Sequence, residues 1–287
     1  MRTQTHQLGL LLKQWRRLRG KSQLALAMDA GVSPRHLAFV ETGRSQASRE
    51  FLLALADALD VPLRERNLLL AAAGFAAMYR ETPLTAEELT QLRSALSRLL
   101  EHQEPYPAVV LDRQWNVVQT NRAAPRLFAH FIDLDLVPEP RNLLRTMFNP
   151  AGLRPWIANW DVVANELVQR VFREAVGGVP DDRTMALLRE LQAYPAAVPM
   201  EALTMGRALP FHPVNFKKGS LELSFFSMIT SVGAPLDITA QELRIEAFFP
   251  ADATTEAFAQ HTLRSGDVDA VARSAAGPAF PSPIDGA

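Results

Sequence analysis

Cysteine is absent from the 287 residues of the chain. Its absence excludes disulfides, thiolate metal sites and cysteine nucleophiles, and it suits a protein of the cytoplasm. Long apolar runs are absent as well. None approaches the roughly 18 residues of a membrane-spanning helix, so no membrane partner is expected. The opening stretch MRTQTHQLGLLLKQWRRLRG is interrupted by charges and has no signal-peptide cleavage pattern. Phosphate-cradling glycine motifs and the metal-binding HExxH are missing. The 6 histidines, at positions 6, 36, 102, 130, 212 and 261, are scattered. Asp181 and Asp182 stand before a helical stretch, where they serve most simply as cap and dipole partner. No catalytic residue, metal site or cofactor is therefore expected, and an enzyme is the weakest of the functional readings.

What is present is a globular composition, 48 % hydrophobic and 21 % charged. It can bury a core and, at this length, form two domains. The net charge of -1 conceals an asymmetry. Residues 1–80 hold 12 Lys+Arg against 6 Asp+Glu, and the rest of the chain holds 18 against 25. A basic first domain on an acidic body points to an anionic partner for the first part alone.

The basic part reads as five short helices. Leu8, Leu11, Trp15 and Leu18 make one apolar face of a first helix over about 8–19, with Lys13, Arg16 and Arg17 largely off that face. Ser22 caps a second helix that Gly31 ends. Ser33 caps a third, with Pro34 at its first position and Leu37 and Val40 inward. Arg35 and His36 fall on the exposed first turn of this helix, and Gly43 ends it. Two more helices run from Ser48 to Leu59 and from Pro62 to Gly74. A helix, a tight glycine turn and a second helix form a helix-turn-helix, whose second helix can enter the DNA major groove.

The stretch from Leu8 to Phe75 resembles the XRE/Cro-type helix-turn-helix of bacterial regulators. The matching positions are Arg16 to Arg19, Ser22-Gln23, Leu26-Ala27, Gly31-Val32-Ser33, Glu41 through Arg44, and Ser48. The resemblance implies double-stranded DNA as partner and a DNA-binding set of Arg17, Gln23, Ser33, Arg35, His36, Arg44 and Ser45. Gln23 would bond a phosphate at a helix N-terminus. Arg35 and His36 would face bases or nearby phosphates, and Arg44 and Ser45 would grip the backbone. Glu41 would orient an arginine of the first helix, since a carboxylate near phosphate is repelled.

Beyond residue 80 the pattern changes. RETPLTAEEL is a connector whose Thr85 and Glu88 form a capping box for a helix carrying Leu89, Leu92, Leu96 and Leu99. PAVVLD and WNVVQTN read as two strands around the turn Asp112-Arg113-Gln114. Helical segments over about 155–176 and 183–193 follow. SLELSFFSMITS places Leu221, Leu223 and Phe225 on one strand face. ELRIEAFFP does the same with Leu243, Ile245, Ala247 and Phe249. TTEAFAQHTLRS suggests a last helix. The expected fold is an all-α N-terminal helix-turn-helix domain plus an α+β PAS-like C-terminal domain, an antiparallel sheet with covering helices. The expected boundaries are 1–80, a connecting helix over 81–104, a ligand-binding domain over 105–264, and a tail over 265–287 without stable structure.

PAVVLDRQWNVVQTNRAAPRLF and NLLRTMFNPAGLRPWIANWDVVANELVQRVF resemble the opening and centre of the MmyB-like ligand-binding domain. MEALTMGRALPF departs from it, lacking the tryptophan and histidine the family often carries there. A helix over a sheet can enclose an apolar pocket. Trp156, Trp160, Val163 and Leu167 follow at helical spacing, and Phe131, Met147, Phe148 and Phe225 are further bulky candidates for its wall. The resemblance implies a small apolar ligand, with fatty acids as a candidate class. Arg145, Arg154 or His212 could meet a carboxylate head. One short recognition helix reads few bases, so a homodimer is expected. The rival is a partner-docking or antitoxin-like interaction module that keeps the helix-turn-helix.

Overall fold

The structure, a computed structural model, describes residues 2–176, 182–194 and 212–265. Asp181, MEALTMGRALPF and the tail beyond residue 265 lie outside the described residues. The chain divides into two compact units, one drawn from 1–93, 166–195 and 231–243 and the other from 94–165, 196–230 and 244–287.

In the first unit five helices pack about one core: α1 (Arg2–Leu18), α2 (Gln23–Asp29), α3 (Pro34–Glu41), α4 (Arg49–Ala58) and α5 (Leu63–Ala72). Ser22, Ser33 and Ser48 each accept the backbone N–H three residues on, as an N-cap should. Leu8, Leu12 and Trp15 of α1 meet Leu26, Leu37, Val40, Leu52, Leu55 and Leu69 in the interior. The buried face of α1 is therefore rotated from the expected one. Leu12 is inside, Leu11 is half-buried, and Leu18 is 39 % exposed in the last turn. The reason is a close crossing. A Cβ on Gly9 would stand 2.4 Å from the carbonyl oxygen of Glu41, so only glycine lets α1 approach α3 this closely.

The connector also differs from expectation. A 3-10 turn, Glu87–Leu89, precedes α6 (Thr90–His102), and its N-cap is Ala86, with no side-chain cap bond. The Thr85–Glu88 capping box does not form, because the 3-10 turn starts one residue later; the Arg93 guanidinium holds the carbonyls of Leu84 and Ala86.

The second unit is built on a five-stranded sheet in the order β2-β1-β5-β4-β3, with β1 (Ala108–Leu111), β2 (Val117–Thr120), β3 (Val214–Lys218), β4 (Leu221–Ser231) and β5 (Arg244–Pro250). β1 is antiparallel to both β2 and β5, with Val110 opposite Ile245. Asp112 makes the expected turn, its Oδ1 accepting the N–H groups of Gln114 and Asn116. Trp115 closes that turn at φ 67°, fully buried, with the Arg244 guanidinium 4.1 Å from its ring centroid.

Two expectations about this body fail. Alternation along β5 is lost, since Ile245, Glu246, Ala247 and Phe248 are all buried. β5 is the central strand of the sheet and is covered on both faces. Trp156 and Trp160 do not share a helix. Arg154–Trp156 is a 3-10 turn, and α9 spans Trp160–Val176. Between them the chain is drawn onto the edge of β3. Ala158 N donates to Asn215 O, Asn159 Nδ2 donates to Pro213 O, and Asn215 N donates to Asn159 Oδ1.

Among the described residues the remaining α-helices are α7 (Ala123–Ala129), α8 (Leu143–Phe148), α10 (Asp182–Ala193), α11 (Ile238–Glu242) and α12 (Ala253–Phe258), the last continuing through a π turn to Leu263. Among them α8 and α11, like β3, were not expected.

Candidate functional site

The turn between α2 and α3 is set by a few residues. Gly31 takes φ +63°, and Val32 N reaches back to Ala27 O at 2.9 Å. Ser33 then caps α3 through the N–H of His36, and Pro34 occupies the first helical position. Leu37 and Val40 are wholly buried, so α3 presents its opposite side outward. Arg35 is exposed, its guanidinium 5.4 Å from the Phe39 ring centroid. His36 is half-buried, edge-on to Phe51 at 4.6 Å.

Glu41 organises the back of this helix. Its Oε1 accepts Arg16 Nε at 2.7 Å, and its Oε2 accepts Arg16 Nη2 at 2.9 Å and Gln23 Nε2 at 2.8 Å. One carboxylate thereby ties α1, α2 and α3 together. The assignment of Glu41 to orienting an arginine of α1 holds in this geometry. The joint tie to Gln23 has no local sequence signal, because the three residues are far apart in the chain.

Ser33, Arg35 and His36 lie within one turn. Arg44, exposed, and Ser45, half-buried, follow the C-terminus of α3 beyond Gly43 at φ +71°. Arg17 is exposed in the last turn of α1.

In the second unit the expected ligand-contacting residues distribute unevenly. Phe148, wholly buried, meets Trp160 at 4.8 Å between centroids, and the Arg154 guanidinium stands 5.6 Å from the Trp160 ring centroid. Phe131 stacks on Phe216 of β3 at 5.0 Å. Trp156 lies under Lys218 Nζ at 4.7 Å. That amine also donates to the carbonyl oxygen of His130. Burial, and then Lys218, hold the His130 imidazole below its ordinary pKa. Met147, Val163 and Phe225 are buried. Leu167 is half-buried and belongs to the first unit. Phe216 and Lys218 were missed because β3 was not recognised. Of the candidate head-group donors, Arg154 is half-buried, and Arg145 and His212 are exposed.

An open cleft of about 380 Å³ is lined by Ala158, Asn215, Phe216, Lys217, Glu222, Leu223, Ser224 and Asp252. None of the eight expected residues lines it, and its wall mixes polar and apolar groups, with Lys217 paired to Glu222. Among the described residues no group of His, Asp and Glu could hold a metal ion, and no helix is long and apolar enough to cross a membrane.

A helix-turn-helix family model matches residues 12–66. The model of the MmyB-like transcription regulator ligand binding domain matches residues 92–261. The chain belongs to the MmyB-like transcription regulators. No curated protein matches it. Among solved structures, that of an RNA-binding light-oxygen-voltage receptor is 10 % identical over 96 % of this chain, with a TM-score of 0.28. This MmyB-like regulator spans 66 % of that receptor's chain, and a likeness this slight carries no argument. The helix-turn-helix match lies within the first unit, and all five strands of the sheet fall within the ligand-binding domain match.

Proposed function

We propose that this regulator is a homodimer of the cytoplasm that binds specific DNA sites through α3 and responds to a small apolar ligand, a fatty acid being the candidate class. The observation that carries the reading is the exposed Arg35 on a capped first turn, on a helix braced from behind by Glu41. A bidentate arginine–guanine contact discriminates by about 1–3 kcal/mol. His36, Ser33, Arg44, Ser45 and Arg17 complete the DNA-facing set. Gln23 joins it through its second amide hydrogen, with the first already held by Glu41. Two copies would set their α3 helices in half-sites about 34 Å apart.

In the PAS-like body, Phe131, Met147, Phe148, Trp156, Trp160, Val163 and Phe225 would supply apolar contact, each buried methylene contributing about 0.8 kcal/mol. Residues 1–80, 81–104 and 105–264 would serve as reader, connector and sensor.

The test combines two measurements. Fluorescence anisotropy with fragments from upstream of the gene should show specific binding that Arg35→Ala relaxes and Gln23→Ala weakens evenly across sequences. Mass spectrometry of the denatured protein should release an apolar small molecule, less of it from Trp160→Ala. DNA affinity indifferent to both helix variants would overturn the reader assignment. Partner docking has one observation in its favour, the exposed apolar Leu24 and Met28 on α2. A ligand-free chain that purifies with a bound protein would replace the sensor by that reading.

A further inference from the structure

The strands β4 and β5 are sequence neighbours, yet residues 232–243 separate them. A hairpin needs only about two to five residues. This connection contains α11 and belongs to the unit that holds the helix-turn-helix. Its contacts there reach across the chain. Gln241 Oε1 accepts the N–H of Leu63 at 2.7 Å. That amide opens α5, where the N-cap is Pro62 and no side chain of the helix's own neighbourhood satisfies it. Glu242 takes Arg64 by both ends, Nε to Oε1 at 2.7 Å and Nη2 to Oε2 at 2.9 Å. Ile238 N donates to Arg80 O at 2.8 Å, and Asp237 Oδ2 accepts Thr82 N at 3.1 Å. Ile238, Ala240 and Leu243 are buried.

We propose that this connection is a coupling arm, through which the sheet body and the DNA-binding helices share stability, with Gln241 and Glu242 as its grip on α5. The geometry favours transmission over simple adhesion. Both ends of the arm run by covalent bonds into the sheet, one of them into its central strand, β5. The arm's far side grips α5 through a helix cap and a two-pronged ion pair, contacts that tolerate little displacement. Any loosening of β4 or β5 is thus felt at the N-terminus of α5. The arm can be released without stranding a charge. Arg64 also bonds both oxygens of Glu81, so Glu242→Ala leaves the guanidinium paired.

The test needs neither ligand nor DNA, so its failure is separate from any failure of the regulatory reading. Amide hydrogen exchange is measured on the full chain. Ile245→Val loosens β5, and faster exchange in β1 confirms that the perturbation took. Val110→Ala, at the facing position of β1, is the stronger perturbation and replaces it where the effect is too small. On the intact arm, Ile245→Val should speed exchange at Leu69 and Leu70 of α5 about fivefold. In a Gln241→Ala, Glu242→Ala background the same change should leave α5 exchange unaltered. Exchange in α5 that ignores Ile245→Val on the intact arm overturns the proposal. So does acceleration of equal size with the arm released.

Discussion

Glu41 receives the Arg16 guanidinium edge-on, at 2.7 and 2.9 Å, across 25 residues of chain. The Glu41 side chain is 2 % exposed, and the hydrogen bond to it raises the Arg16 pKa against the opposing effect of burial. This is a structural ion pair that joins α1 to the C-terminal end of α3. Removing one partner leaves a buried charge alone, which costs about 3–5 kcal/mol. Glu41→Ala should lower the urea unfolding free energy by that order, because Gln23 loses its acceptor as well. Glu41→Gln should lose less. A Glu41→Ala protein as stable as the parent would remove Glu41 from this role.

Ser33 caps α3, and in the proposed function it also faces DNA. Ser33→Ala should cost about 1 kcal/mol of stability in urea titration. Ser33→Asp keeps a good cap and adds a negative charge beside phosphate. It should unfold like the parent while losing DNA affinity. Parent-like DNA binding by Ser33→Asp would place the residue away from the backbone.

Asn121 holds the second body where the chain crosses from β2 to α7. Its Oδ1 accepts the N–H of Ala108 at 3.0 Å and of Ala124 at 3.1 Å, and its Nδ2 donates to Tyr106 O at 2.7 Å. Asn121→Ala leaves two buried N–H groups and the half-buried Tyr106 carbonyl without their partner and should cost about 3 kcal/mol. Asn121→Asp keeps the two acceptor bonds but sets a carboxylate oxygen against the Tyr106 carbonyl, and should also destabilise. Calorimetry of both variants decides; a melting temperature unchanged in Asn121→Ala would refute the account.

Glu81 gives a pH signature. The hydrogen bond from Arg64, ahead of every other influence, holds its carboxyl below the ordinary 4.5. A lowered folded-state pKa means stability that is fully present above the unfolded value and lost as pH falls through the folded one. Urea unfolding of the parent should weaken between about pH 4.5 and lower values, more steeply than that of Glu81→Gln. The difference is modest, because the Glu81 side chain is 57 % exposed and screened by water. Identical pH slopes would show that the pair contributes nothing.

The helix-turn-helix was legible because its signals are local. Ser22, Ser33 and Ser48 mark helix starts by capping their own first turns, and Gly31 marks the turn by a backbone angle other residues avoid. The site was less legible than the fold. Arg35 could be placed outward from helical period alone, but the tie of Gln23 to Glu41 joins residues 18 apart and has no period. In the second body the strand pair around Asp112 was readable from its turn chemistry. β3 was not, since only its pairing with β4 makes VNFKK a strand.

By itself, then, the sequence determined which segments of residues 1–80 become helices, about where α2 to α5 begin and end, and which side of α3 is left free. Caps, glycine turns and a 3.6-residue period act within a few residues and need no partner. Tertiary structure alone decided the rotation of α1 at Gly9, the burial of both faces of β5, the break between Trp156 and Trp160, and the grip of Gln241 and Glu242 on α5. Each depends on a neighbour remote in the chain, and remote neighbours leave no periodic trace.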